Sequence, residues 1–333
     1  MSGRRVLVTG AAGFLGRQTA APLAQRGFEV HAVTCGEPRN NVSLQDLTPS
    51  GVANRVGVHA VIPGEPPGGQ PAVFWHRADL LDPAAAEALC VEVRPTHLLH
   101  LAWYTVHGRF WTSPENFRWV AASLGLLEAF ARRGGERVVS AGSCAEYDWS
   151  VAQTCSERET PLKPATPYGA CKDALRRLQE SFARLRGLSQ AWGRVFFPFG
   201  PHEHPDRFVP HVVRRLLRGE PAECTSGTQV RDLVYVGDAG EAFAALLDGA
   251  VEGPVNVGSG RPVALRDAAA EIARQVGRPD LLRMGARPDR PDDPPLLAAD
   301  TARLSGEVGW RPARTLESGL AETIAWWRER GAR

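Results

Sequence analysis

A run of β-branched and aliphatic residues at 4–9 (RRVLVT) passes at once into GAAGFLG at 10–16. This junction constrains the chain more than any other stretch. The first part reads as a buried strand, residues 17–26 as a helix, and FEVHAV (28–33) as a second strand. In such a strand-turn-helix-strand unit the three glycines have separate tasks. They tighten the turn, let the backbone approach a pyrophosphate, and let the helix pack closely on the sheet. The helix N-terminus adds free N–H groups and the positive end of its dipole. Gly10, Ala12, Gly13, Phe14, Leu15, Gly16 and Arg17 are therefore expected around the phosphates of a dinucleotide.

The alternation continues downstream. PTHLLHLA (95–102), ERVVSAGS (136–143) and QAWGRVFF (190–197) read as strands, with helical stretches at 114–133 and 166–186 between them. Repeated βα units with apolar strands imply an α/β fold, a Rossmann-like doubly wound parallel sheet covered by helices on both faces. Residues 36–72, rich in Pro, Gly and Asn, interrupt the pattern as a surface excursion. Beyond Gly200 the units shorten, as in RFVPHVVRRLLRG, and end in an amphipathic helix near 316–330. The expected division is a dinucleotide-binding domain, 1–195 plus 229–258, and a smaller, partly interleaved α/β substrate domain, 196–228 plus 259–333.

Composition excludes several classes of function. The 333 residues are 43% hydrophobic and 23% charged, with a formal net charge of +2 and no basic stripe suited to a phosphate backbone, so a nucleic-acid polymer is not an expected partner. No apolar run approaches a membrane span. Six cysteines without C-x-x-C spacing, and no secretory segment, point to a reducing cytoplasmic setting. His202, Glu203, His204 and Asp206 have metal-like composition, but adjacent loop residues seldom converge on one ion, and no metal is expected.

An acid at the end of the second strand would bind a ribose 2′-hydroxyl, whereas a 2′-phosphate favours arginine. Here the strand ends Val33-Thr34-Cys35, with Arg17 and Arg39 nearby. The reading favours NADP(H), with NAD(H) as the alternative. Asp79-Leu80 follows the third strand, where a side chain and a backbone N–H can meet an adenine edge. In TPYGACK, Tyr168 and Lys172 are four apart and share a helical face. A tyrosine of pKa ~10 is a poor acid-base group at neutral pH unless a nearby ammonium favours the phenolate. Only Lys163 and Lys172 are lysines, so the other 37 of the 39 cationic side chains are arginine (39 − 2). A lysine placed beside that tyrosine is thus selected against a strong background. Tyr168 and Lys172 are the expected catalytic pair, both also touching the cofactor.

At this point the sequence resembles the extended short-chain dehydrogenase/reductase family, in its nucleotide-sugar epimerase/dehydratase/reductase branch. The likeness runs through TGAAGFLG, ADLLD (78–82), HLA (100–102), SAGSCAEYDW (140–149), YGACK, RVFFPFGP (194–201), RDLVYVGDAGEAF (231–243), NVGSG (256–260) and VGWRP (308–312). It implies a sugar nucleotide clasped by the C-terminal domain, cofactor contacts from Leu101, Ala102 and Trp103 in the HLA turn, and a homodimer built on the helix bearing Tyr168. It also implies that Ser143, four residues before Tyr147, donates a hydrogen bond to the sugar oxygen. For the substrate it points to Ser143, Cys144, Tyr104 and Phe197, with Arg231 and Arg287 on the diphosphate. His107 and Arg109, on the loop after the HLA turn, are placed to shape sugar specificity. Trp119 and Phe197 stand where relatives carry asparagine.

Members of the branch that eliminate water carry Asp-Glu directly after the serine or threonine. This chain has Cys144-Ala145, and Glu146 follows. In an extended segment Glu146 does not replace the second acid, and a structural role is expected of it, such as accepting backbone N–H bonds. Without elimination, the expected reaction is NADPH-dependent reduction of a 4-keto-6-deoxyhexose nucleotide. The alternatives are NAD-dependent epimerisation through a transient ketone and, in another class, a dinucleotide sensor without catalysis.

Overall fold

The computed structural model describes residues 3–35, 73–151, 154–291 and 293–331. Five strands open the chain: β1 (Arg5–Thr9), β2 (Glu29–Thr34), β3 (Val73–Arg77), β4 (His97–His100) and β5 (Arg137–Ser143). With Ser189–Val195 and Gly253–Val257 they form one sheet in the order Gly253–Val257, Ser189–Val195, β5, β4, β1, β2, β3. Every pair is parallel. Strand order reverses between β1 and β4, and ligands of such sheets lie outside the carboxyl ends of the strands at that reversal.

Side chains alternate across the sheet as the pleat requires. Val6 and Val8 face a core with Leu23, Val30 and Phe243. Leu7 turns to the opposite core with Leu89, Leu98 and Leu126. The helix Val236–Asp248 covers the first face. The second is covered by α2 (Pro83–Val93), α3 (Glu115–Arg132) and α4 (Pro167–Arg186). The helix α1 (Ala20–Gln25) is shorter than expected: Gly16–Gln18 forms a 3₁₀ turn before it. Pro22 explains the break. It has no N–H to give to Gln18, so an α-helix can hold it only in its first turn.

A second sheet joins Val263–Ala264, Val230–Arg231, Leu296–Ala299 and Thr154–Cys155 in that order. Two of its strands, Thr154–Cys155 and Val230–Arg231, come from segments assigned by sequence to the dinucleotide domain. The chain is more deeply interleaved than that division supposed. A separate apolar core lies on the C-terminal side, with Val212, Leu216, Ile272, Leu320 and Trp327.

Candidate active site

The turn after β1 and the segment after β4 meet at the strand-order reversal. Gly10 has φ +68°, and a Cβ there would lie 2.8 Å from the Ala102 backbone nitrogen. A Cβ at Gly16 would run into the Gly10 carbonyl oxygen. At both positions a side chain would collide with neighbouring backbone, so glycine alone lets the turn close this tightly on itself and on the segment after β4, as the phosphate-binding turn of a dinucleotide fold requires. Thr9, which sequence reasoning passed over, ties the two segments together. Its hydroxyl oxygen accepts the N–H groups of Leu101 and Ala102, both at 3.2 Å, and meets His100 Nδ1 at 2.8 Å. The other ring nitrogen of His100 meets Ser123 Oγ at 2.8 Å, and burial brings this imidazole down to about 3, so it is neutral.

The cofactor residues expected from sequence are partly assembled. Arg17 folds back, its Nε–H donating to the Ala12 carbonyl at 2.8 Å. Asp79 is exposed and accepts the Leu81 N–H at 3.0 Å, while the Leu80 side chain is buried in the core beside α2. Arg39 lies outside the described residues.

Threonine, proline and glycine define the helix that carries the expected pair, Tyr168 and Lys172. Thr166 caps α4 by accepting the Gly169 N–H at 3.2 Å, Pro167 occupies the first position, and Gly187 ends it at φ +67°. Tyr168 thus sits in the first turn. Gly169 lets this turn touch the end of β5, since a Cβ there would run into the Ala145 carbonyl oxygen. The Tyr168 phenol lies near the Ser143 side chain, and Phe110 and Trp111 meet its ring edge-on at 4.9 and 5.5 Å. Burial pushes the phenol above its usual value, and the nearby Ser143 hydroxyl pulls it part of the way back. Lys172, the neighbour expected to act on that phenol, directs its hydrogen bond elsewhere. The ammonium instead donates to the Ala141 carbonyl at 2.8 Å and lies 3.8 Å from the centre of the Trp103 ring. Burial lowers Lys172 to about 7, opposed by the charge of Glu146.

Glu146 has a structural role, by a geometry other than the expected one. Residues Cys144–Glu146 form a 3₁₀ turn rather than an extended segment. Ser143 and Glu146 make a capping box: Ser143 Oγ accepts the Ala145 N–H at 3.2 Å, and Glu146 Oε1 accepts the Ser143 N–H at 2.8 Å. The spacing Ser-x-x-Glu was a local signal for this turn. Trp192 Nε1–H donates to the same carboxylate oxygen at 2.9 Å, and Arg194 Nε–H donates to the other at 2.7 Å. Arg194 continues to the Tyr147 hydroxyl at 3.1 Å, which donates to Asn256 at 2.8 Å. Glu146, Arg194 and Asn256 are each 0% exposed.

The expected substrate residues divide. Ser143 keeps an open face at the sheet edge, and Tyr104 and Phe197 are half-buried. Cys144 does not fit the contact expected of its side chain, because the 3₁₀ turn carries it into a core with Tyr147, Cys155 and Phe196. Burial there lifts its thiol to about 12. Arg231 is 4% exposed and pairs with Asp293 at 2.5 Å, not with its sequence neighbour Asp232. Asp232 instead accepts from Ser259, Gly260 and Ala299. Arg287 is exposed. Arg109 is exposed, and His107 stacks on His204 with centroids 4.8 Å apart. Trp119 does not stand in for the missing asparagine. Asn116, one turn earlier, is buried and accepts the Trp103 indole N–H at 2.8 Å. Among the described residues no group of three His, Cys, Asp or Glu is arranged to hold a metal, and no helix is long and apolar enough to cross a membrane.

Residues 6–258 match the NAD dependent epimerase/dehydratase family. The chain belongs to this family. A dTDP-glucose 4,6-dehydratase of Streptomyces antibioticus is 30% identical over 98% of this chain and 93% of its own length. UDP-glucuronate 4-epimerase 4 of Arabidopsis thaliana is 26% identical over 98% of this chain and 76% of its own. Among solved structures, a UDP-glucose 4-epimerase of Thermus thermophilus in complex with NAD is 28% identical, with a TM-score of 0.77 over 97% of this chain and 99% of that one. The matched span 6–258 takes in the glycine turn, Ser143, Tyr168 and Lys172. The family holds both dehydratases and epimerases, so the choice of reaction falls to the residues around Ser143.

Proposed function

We propose that this chain is an oxidoreductase of nucleotide sugars that reduces the 4-keto group of a 4-keto-6-deoxyhexose without eliminating water. One observation carries the reading. The two positions after Ser143 offer a buried thiol and a methyl group where the dehydratases of the branch carry Asp-Glu, and Glu146 is committed to Ser143, Trp192 and Arg194. No carboxyl group at that turn is free to protonate a leaving hydroxyl.

A bound nicotinamide supplies the hydride. The rest is the work of the chain. A sugar oxygen lying between Ser143 and Tyr168 accepts the seryl O–H and then takes the phenolic proton as negative charge builds on it. The raised phenol suits this direction, because it stays protonated at rest and gives its proton only to an oxygen that has become basic. Lys172 places positive charge beneath the site. We further propose NADP(H) as the preferred dinucleotide, since Val33 and Thr34 at the end of β2 and Cys35 after it carry no carboxylate to repel a 2′-phosphate. We propose a homodimer through α3 and α4, supported by Phe117, Leu178 and Leu185, which lie on these helices at 64%, 44% and 79% exposure.

The experiment is direct. The protein is mixed with a panel of 4-keto-6-deoxyhexose nucleotides and either NADPH or NADH, and the loss of reduced-nicotinamide absorbance is followed. Turnover with NADPH, and no product from the parent hexose nucleotide, is the expected result. Conversion of a sugar nucleotide to its 4-epimer without added dinucleotide would replace the reading with epimerisation.

A further inference from the structure

We infer that Trp103 is a positioning residue for catalysis, whose indole face holds the Lys172 ammonium charged and in place beneath the reacting centre. Lys172 is 4% exposed, and its ammonium donates to one carbonyl, Ala141 O at 2.8 Å. A buried ammonium with so few partners gives up its proton readily. The second contact is the Trp103 ring, 3.8 Å from Nζ to its centroid. Attraction of a cation to an aromatic face is strongest when water is excluded, as it is here. The ring itself is fixed. Its N–H donates to Asn116 Oδ1 at 2.8 Å, and Asn116 Nδ2 donates to the carbonyls of Phe110 and Ser113 at 2.7 and 2.9 Å.

The same loop grips the other half of the catalytic pair. Tyr168 donates its backbone N–H to the Trp111 carbonyl at 3.1 Å, and Phe110 meets its ring. The segment after β4 therefore reaches Lys172 through Trp103 and Tyr168 through Phe110 and Trp111. The ionisable groups around the ammonium are Glu146 after β5, His100 on β4, and Tyr168 one turn back on α4. His100 is neutral, Tyr168 is protonated, and Glu146 supplies the attraction that the ring supplements.

With two lysines in the chain, lysine-selective carbon labelling gives two ε-methylene signals, and Lys163→Arg leaves that of Lys172. The expected spectrum of the full-length protein has this signal shifted upfield by the indole ring, with a titration midpoint well below the 10.5 of a free lysine. In Trp103→Leu the upfield shift disappears and the midpoint falls by about one pH unit. Trp103→Phe, which keeps an aromatic face and the fold, gives roughly half that change. The alkaline limb of the kcat profile moves in the same direction by the same amount; this arm alone rests on the proposed reaction. A midpoint that rises toward that of a solvated lysine in Trp103→Leu or Trp103→Phe would overturn the inference, because the ring would then act by excluding water. So would a native Lys172 signal with no upfield shift.

Discussion

Two buried polar groupings lie one above the other at the end of β5, and they differ in how completely they are satisfied. In the lower one, both oxygens of Glu146 are taken by Ser143, Trp192 and Arg194, and the chain of bonds runs on through Tyr147 and Asn256 to the Cys155 and Asp300 carbonyls. In the upper one, Tyr168 has the Ser143 side chain nearby, and Lys172 has one carbonyl and a ring face. A satisfied network is rigid, and a sparsely partnered one costs stability. The contrast assigns the roles. The lower grouping fixes the floor, and the upper one keeps its hydrogen-bonding capacity for a ligand.

The largest effects fall on the upper grouping. Tyr168→Phe is expected to lower kcat by about 10³-fold or more while dinucleotide affinity, measured by fluorescence titration, stays within a fewfold. Lys172→Met should lose activity to a similar degree and yet melt at a higher temperature at pH 7. The sign follows from its depressed folded value of about 7 against 10.5 for the free group. The unfolded chain binds more protons between those values, so the cost of Lys172 is fully present below pH 7 and fades as pH rises to 10.5. The variant should gain up to about 5 kcal/mol below pH 7 and little above about pH 10. A Lys172→Met protein that melts lower at pH 7 would place lysine in the satisfied class and break the contrast.

Next in size is Glu146→Ala, expected to cost about 3–5 kcal/mol in chemical denaturation because it leaves the Arg194 cation buried and unpaired. Glu146→Gln keeps the shape and should retain kcat within about tenfold at a temperature where it is folded. The reverse pattern, native stability with a roughly 10³-fold loss of turnover, would mark Glu146 as a proton donor and restore elimination chemistry.

Legibility in the sequence followed the range of the interactions. The strand and helix order of the large sheet was readable because it rests on local periodicity and on punctuation by glycine and proline. The ends of α3 and α4 fall within one residue of the expected 114–133 and 166–186. Tyr168 and Lys172 were readable for the same reason, being one helical turn apart. What each touches was not. Glu146 meets Trp192 and Arg194 through strands paired far apart in sequence, although Ser143-x-x-Glu146 signalled the capping box. Arg231, expected on the diphosphate, finds Asp293 near the parallel register of Val230–Arg231 with Leu296–Leu297, a pairing that no local pattern signals. The ammonium over Trp103 needed the β4 and α4 segments to be placed in space.

Ser143 stands between the two groupings, with its backbone N–H in the floor and its hydroxyl beside Tyr168. Ser143→Ala should therefore split the two effects. A fall in kcat of about 10²-fold is expected from loss of the donor to the sugar oxygen, with a stability change under about 1 kcal/mol from the lost cap bond to Ala145. Equal loss in KM alone would show uniform binding and remove Ser143 from the reacting layer.

The smallest effect tests a carboxylate that belongs to neither class. Glu203, 5% exposed, accepts the Arg207 Nε–H at 3.0 Å with one oxygen, and among the described residues its other oxygen is buried without a partner. Burial raises it to about 7, and Arg207 draws it back only in part. Because this folded value lies above the 4.5 of the free group, the native state binds more protons between the two. Its contribution is fully present below pH 4.5 and is lost as pH rises through 7, which leaves an ionised, half-paired carboxylate above it. Glu203→Gln removes that proton. Thermal melts of the two proteins should nearly coincide at about pH 4.5 and diverge toward about pH 8, where the variant should be the more stable by about 2 kcal/mol. A constant difference across that range would mean that the second oxygen has a partner, and Glu203 would then join the satisfied floor with Glu146.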